Sequence, residues 1–317
     1  MRVFDDLAGV PAGFGPSVVT IGKFDGVHVG HRAVIARLRE IAGERSLASV
    51  AVTFDRNPLA LLAPDRCPEQ LVSTRQKLEL LATTGLDATL LLHFDRALAS
   101  LPPEEFVERI LVDALGARAL LVGADFRFGA KGAGEVTLLE RLGFEHGFTV
   151  EVVSDVRPDG ERRVSSTWVR ELLDAGEVGR AAALLGGHNP TVTGVVVHGA
   201  ARGRELGFPT ANLSPESEGL IPGDGVYAGW LTDAGVRYPA AISVGDNPTF
   251  EGVPKKQVEA YVLDRELDLY DHLVDVEFVE RIRGMVAFTS IPALIETIRD
   301  DVERSRAILS RQSPSPE

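Results

Sequence analysis

Cysteine is nearly absent from this chain: Cys67 is the single one in 317 residues. No intramolecular disulfide can form, which excludes a disulfide-stapled extracellular fold and fits a reducing, cytoplasmic setting. Cys67 lies in Pro64-Asp65-Arg66-Cys67-Pro68, a loop pattern, so its thiol reads as structural rather than nucleophilic. Long apolar runs are missing too. None approaches membrane-spanning length, and the first residues lack the basic segment and apolar core of a signal peptide. Basic residues are outnumbered, 33 Lys and Arg against 46 Asp and Glu, for a net charge of −13. That balance argues against a broad nucleic-acid surface but leaves room for local phosphate pockets. No G-x-x-x-x-G-K-[S/T] segment occurs, so there is no standard P-loop.

What is present is enough for two domains, with 44% hydrophobic residues to fill their cores. The first half turns on the stretch from Val18 to His31. Val18 to Ile21 is a short β-branched run and reads as a buried strand. Gly22 ends it, and Gly26 and Gly30 keep the next turn open. Val34, Ile35, Leu38, Ile41 and Ala42 then share one face of a helix. His28 and His31 are three apart, so both can face one way at the opening turn of that helix. Unpaired N–H groups and the positive end of the helix dipole suit a phosphate there, and the imidazoles can donate to its oxygens. A metal pair is the competing reading, but no carboxylate or cysteine stands nearby at ligand spacing.

Further strands follow at Ser49–Phe54, Ala88–Phe94, Ala119–Val122 and Phe148–Val153. Helices alternate with them: one capped by Ser73 with Gln76, one from Pro102 to about Leu115, and one around Val136 to Leu142. Alternation of this kind predicts a parallel sheet whose ligands gather at the carboxyl ends of its strands. Gly123-Ala124-Asp125-Phe126-Arg127-Phe128-Gly129 follows one such end. It reads either as a turn with buried aromatics or as a pocket wall carrying Asp125. Ser165-Ser166-Thr167-Trp168-Val169-Arg170 opens another helix, as a plain cap or as hydroxyls and Arg170 set against phosphates.

A short helix, Val178 to Leu185, leads to Gly186-Gly187-His188-Asn189-Pro190, where we expect the domain boundary, with domains of residues 1–186 and 187–317 and His188 as a solvated linker residue. Beyond it the pattern changes. Thr191–Val197, Val226–Leu231, Arg237–Val244, Val258–Asp264 and Val274–Phe278 are strand-like and separated by turns, predicting an antiparallel sandwich or a small closed barrel. Ile291 to about Leu309 reads as a terminal helix capped by Ser290, with a polar, disordered tail from Gln312. Thr210 and Asn212 are two apart and, in an extended chain, point the same way. They read as ordinary turn residues or as two neutral oxygens for one Mg²⁺. Glu259 shares a strand face with Tyr261 and Leu263, as a solvated carboxylate or as a general base at a barrel mouth.

These segments together resemble the bacterial bifunctional riboflavin kinase/FAD synthetases. Gly22-Lys23-Phe24-Asp25-Gly26-Val27-His28-Val29-Gly30-His31 is similar to their nucleotidyltransferase signature, as are the Gly123–Gly129 loop and Ser165-Ser166-Thr167 with Arg170. Pro209-Thr210-Ala211-Asn212, Gly225-Val226-Tyr227-Ala228, Gly245-Asp246-Asn247-Pro248-Thr249-Phe250 and Val258-Glu259-Ala260-Tyr261 resemble their riboflavin kinase segments. Departures are Lys23, where asparagine is frequent, Asn57, where histidine is common, and Asp271, where glycine is usual.

The resemblance implies a Rossmann-like FMN adenylyltransferase domain followed by a riboflavin-kinase-type antiparallel β-barrel with a terminal helix. It implies ATP, riboflavin, FMN and FAD as substrates or products, with Mg²⁺, and no nucleic-acid or membrane partner. His28, His31 and Arg170 would serve adenylyl transfer, whose nucleophile is already an anionic phosphate. Glu259 would be the base for riboflavin's neutral hydroxyl, beside Mg-ATP at Thr210 and Asn212. Gly22, Phe24, Asp25, Gly30, Asp125, Phe128, Ser165, Ser166 and Thr167 would bind nucleotide or flavin in the first domain. In the second, Gly203, Arg204, Gly207, Pro209, Thr210, Asn212, Tyr227 and Asn247 would do so. A non-catalytic flavin binder would have no use for a base, which argues against that alternative.

Overall fold

A computed structural model describes residues 1–158, 160, 162–199, 207–246 and 256–311. The chain divides into two compact units, Met1–Ser165 and Ser166–Glu317.

The first unit is a six-stranded sheet in the order β1-β4-β3-β2-β5-β6, and every paired neighbour runs parallel. Its strands are β1 (Arg2–Phe4), β2 (Ser17–Ile21), β3 (Ala48–Phe54), β4 (Ala88–Leu92), β5 (Ala117–Gly123) and β6 (Thr149–Val153). Helices α1 (Val29–Arg45), α2 (Pro58–Leu62), α3 (Thr74–Ala82), α4 (Arg96–Ala99), α5 (Pro103–Phe106) and α6 (Val136–His146) connect them. α5 continues to Ala114 with π-helical winding, which an apolar i, i+4 pattern does not distinguish from α.

β2 is buried along its whole length. Val18 packs on one side with Ile35, Leu38 and Ile41 of α1, and Val19 and Ile21 pack on the other with Ile110 and Leu111. That is why β2 reads as a continuous apolar run rather than an alternating one. The chain order reverses between β2 and β5, so the crevice outside their carboxyl ends is the expected ligand position. The reciprocal Ser73–Gln76 capping box is formed. Cys67 ends a short 3₁₀ turn, Pro64–Arg66, and is half-buried.

The second unit opens with α7 (Ser166–Asp174) and α8 (Val178–Leu184), then closes a barrel in the order β10-β11-β8-β7-β12-β9. Its strands are β7 (Thr191–Val197), β8 (Ala211–Leu213), β9 (Gly225–Asp233), β10 (Val236–Asp246), β11 (Lys256–Val262) and β12 (Leu273–Arg283), all paired antiparallel. The structure therefore decides for a barrel over a sandwich. The terminal helix α9 (Ile291–Ser310) is capped by Ser290. It seats Ile308 and Leu309 on Val226, Ala228, Val279 and Ile282 and is fastened by a bidentate Arg283–Asp301 pair.

The units separate at Ser165, upstream of the Gly186-Gly187 joint, because α7 and α8 pack with the barrel. Arg281 donates to the carbonyl of Ala175 between them, and Gly223 donates to Leu173. His188 is half-buried with both ring nitrogens shielded, not solvated. The tail from Gln312 lies outside the described residues. Among the described residues no helix is long and apolar enough to cross a membrane.

Candidate functional site

The turn after β2 is held in unusual backbone. Phe24 (φ +49°) and Val27 (φ +42°) are both left-handed, a conformation costing roughly 1–3 kcal/mol for such residues. Burial of both side chains against the α1 side of the sheet offsets that cost. The turn delivers His28 to the N-cap of α1, one step before the helix rather than inside it, where its Nδ1 accepts the His31 N–H at 3.3 Å. The two imidazoles lie face to face, 3.7 Å apart and 13° from parallel. Gly30 makes this possible, since a Cβ there would stand 3.1 Å from the His28 ring.

Burial drives the pKa of His28 from 6.5 to about 4. His31 is pushed well below 6.5 by burial first and then by the charges of His28 and Lys23. Both rings are thus neutral at physiological pH. With Nδ1 of His28 accepting, its proton sits on Nε2. The pair can donate N–H groups beside a helix N-terminus without carrying charge.

A cavity of about 600 Å³ lies at the carboxyl ends of the strands. Phe54, Phe94, Phe106, Phe126 and Phe128 form its apolar walls, and Gly22, Lys23, Asp125, Arg127, Lys131 and Arg163 its polar edge. The Gly123–Gly129 loop is thus both things the sequence allowed: Phe128 is buried, and Asp125 reaches the cavity. Asp125 takes both terminal nitrogens of Arg163, each at 2.9 Å. Asp25 accepts the Leu71 N–H at 2.9 Å, tying the histidine turn to the segment before α3. Asn57 caps α2 by accepting the Leu59 N–H at 3.1 Å. Ser165 closes the first unit, while Ser166, Thr167 and Arg170 belong to α7 of the second.

Lys77 carries no sequence signal beyond its place in a helix, yet it is buried near this end of the sheet. Its Nζ donates to the Phe54 carbonyl at 2.6 Å. Burial lowers its pKa to about 8, against the opposing charges of Asp25 and Asp55.

In the barrel, Asn212 on β8 stands directly opposite Glu259 on β11, and Glu259 opposite Ser243. Directly paired residues share a face. The neighbouring register pairs Tyr227 with Ile242 and Ile242 with Ala260, and these fill the barrel interior. Glu259 and Asn212 therefore project from the outer face of the wall. Tyr227 lies on the inner face, fully buried, with its hydroxyl donating to the Gly223 carbonyl.

On the outer face, Thr210 Oγ1 approaches Glu259 Oε2 at 3.4 Å. The Asn212 amide donates to Thr210 Oγ1 and to its carbonyl, each at 3.2 Å. Gln257 donates to Asn212 Oδ1 at 3.2 Å. Gln257 escaped the sequence reading, although its place two residues before Glu259 is the signal for a shared face. Phe208 and Tyr261 meet edge to face at 5.5 Å beside the group. Gly199 passes so close that a Cβ would collide with the Asn212 carboxamide. Gly207 takes a left-handed turn (φ +87°) before Pro209. Gly203, Arg204 and Asn247 lie outside the described residues.

Comparison with known proteins covers the same two regions. The FAD synthetase family model matches residues 12–168, and the riboflavin kinase family model matches residues 186–309. A bifunctional riboflavin kinase/FMN adenylyltransferase of Pseudomonas fluorescens is 41% identical, over 92% of this chain and 92% of its own length. The protein of the same description in Escherichia coli K12 is 38% identical, over 94% of both. A crystal structure from Streptococcus pneumoniae, described as a macrolide-efflux protein, superposes with a TM-score of 0.85 at 30% identity, covering 96% of this chain and 98% of that one.

Proposed function

Because the chain belongs to the bifunctional riboflavin kinase/FMN adenylyltransferase family, we propose that adenylylation is carried out at the carboxyl ends of the parallel sheet and phosphorylation on the outer wall of the barrel. The protein is a riboflavin kinase and an FMN adenylyltransferase. The observation that carries the assignment of sites is the aromatic cavity of about 600 Å³ beside a neutral, stacked histidine pair at a helix N-terminus. An isoalloxazine ring fits such walls, and phosphates fit such an edge.

In the first unit an oxygen of the FMN phosphate attacks the α-phosphorus of ATP. The new P–O bond forms as the bond to pyrophosphate breaks, and no proton need be removed. Catalysis is then positioning and charge stabilisation. His28 and His31 donate N–H groups to the reacting phosphate oxygens. For Arg170 and the hydroxyls of Ser165, Ser166 and Thr167, the support for a part in this reaction is their resemblance to the family's motif.

In the second unit the ribityl hydroxyl of riboflavin must lose a proton as it attacks the γ-phosphorus and the bond from that phosphorus to the departing ADP breaks. Glu259 accepts it. Thr210 and Asn212 present hard, neutral oxygens next to that carboxylate, a donor set that suits Mg²⁺ carried with ATP. The ion supplies charge neutralisation of the phosphates there. We place the division of labour at Gly186-Gly187 and the reaction in the cytoplasm, where ATP is abundant and the lone Cys67 stays reduced.

Incubation of the pure protein with riboflavin, ATP and Mg²⁺, with flavins separated over time, tests the reading. FMN should appear first and FAD second. FMN without FAD would refute the adenylylation site, and FAD from added FMN without any riboflavin phosphorylation would refute the kinase site.

A further inference from the structure

The cavity edge is uneven in charge. Lys23, Arg127, Lys131 and Arg163 line it, against one carboxylate, Asp125. Two of the cations are already engaged: Arg127 with Glu135 at 2.7 Å and Arg163 with Asp125 at 2.9 Å. Lys23 has no ion-pair partner among the described residues. It follows the end of β2 and opens the histidine turn. Its backbone is anchored where its own carbonyl accepts the Thr53 hydroxyl at 3.2 Å, while its side chain is exposed on the cavity wall. It also stands close enough to His31 for its charge to help hold that ring neutral. Lys23 is therefore the cation at the junction of the aromatic cavity and the histidine pair.

We infer that the Lys23 ammonium binds the phosphate of the flavin and makes this cavity select FMN over riboflavin. The inference rests on the adenylyltransferase reading of the first unit. Its chemical basis is that the two flavins present the same ring to the same walls and differ in one phosphate. An apolar cavity alone cannot separate them. A free cation at the point where that phosphate must approach a second anion, the triphosphate, provides the difference. It also reduces the repulsion between the two. An asparagine at this position would keep a hydrogen bond but not the charge.

The test measures FAD synthesis by the full-length enzyme, with FMN as variable substrate and 5′-deoxyriboflavin, which keeps the ring and the ribityl chain but has no hydroxyl to phosphorylate, as competitive inhibitor. Lys23→Gln should raise the KM for FMN at least tenfold and leave the inhibition constant of the uncharged flavin within about twofold. Lys23→Arg should stay near wild type, and the salt dependence of KM should weaken in Lys23→Gln. Calorimetry of the same variants serves as the folding control. A parallel rise in KM and in that inhibition constant would mean Lys23 only shapes the cavity and would overturn the proposal. So would an unchanged KM. If wild type itself makes no FAD from FMN and ATP, the reading of the first unit fails, and this inference falls with it.

Discussion

In the first unit the side chains at the phosphate end are two imidazoles kept uncharged by burial, and in the second the central side chain is a carboxylate held by Thr210 at 3.4 Å. The first proposed site draws on loops at strand ends, the second on Asn212 and Glu259 facing each other from neighbouring strands together with Thr210 just before one of them. The difference follows the nucleophile. A phosphate arrives deprotonated and needs donors, whereas a hydroxyl needs an acceptor for its proton. On the proposed assignment of sites, one chain treats two reactions of ATP with opposite hydrogen-bonding polarity.

Removing the acceptor should have the largest effect. Glu259→Gln keeps the shape of the site but cannot take a proton, so riboflavin phosphorylation should fall by on the order of a hundredfold or more. FMN adenylylation should stay within a few fold. Kinase turnover close to wild type would erase the contrast between the sites. Removing a donor comes next. His31→Ala should lower FAD formation about a hundredfold, chiefly in kcat, because a donor aimed at developing charge helps most in the transition state. A change confined to KM, or a kinase defect of equal size, would show that the ring acts through folding.

Acid should separate the two units. Unfolded His28 takes up a proton below pH 6.5, while the folded residue does so only near pH 4. The unfolded state then binds more protons across that window, so stability present at neutral pH is lost as pH falls from 6.5 to 4. The loss from His28 alone is on the order of 3 kcal/mol. Calorimetry should show the transition that carries FAD synthesis moving down by several degrees over this range. His28→Asn, which can still cap the helix, should flatten the slope; an unaltered slope would sink the argument. The smallest effect concerns Asn57. Its cap on α2 predicts that Asn57→Ala costs about 1 kcal/mol while Asn57→Asp is nearly silent. Equal melting temperatures for all three proteins would show that the cap contributes nothing.

Periodicity made most of the fold legible. β2, α1 and the Ser73 capping box follow directly from residue order, and period two placed Glu259 and Tyr261 on one face. It could not say which face, because alternation is blind to the direction of the core; only the pairing of Ala260 with Ile242 settles that Glu259 looks outward. β1 and β8, three residues each, leave no periodic trace and exist through their partners. The cavity draws on loops after β2, β3, β4 and β5, which nothing local in the sequence connects. The neutrality of the histidines is a property of burial, and residue spacing carries no record of it. Asp271 shows how a departure from a motif is absorbed: it keeps the left-handed backbone (φ +65°) that a glycine would adopt freely.

The outward placement of Glu259 bears on how activity is lost under heat. β11 is hydrogen-bonded on both sides, to β10 and to β8, so its backbone opens only when the barrel itself opens. Kinase activity should then persist up to the melting of the second unit and vanish with it. The proposed adenylylation site hangs on strand ends and turns, which should loosen while the sheet is still whole. On slow warming the enzyme should therefore stop making FAD before it stops making FMN, and FMN should accumulate.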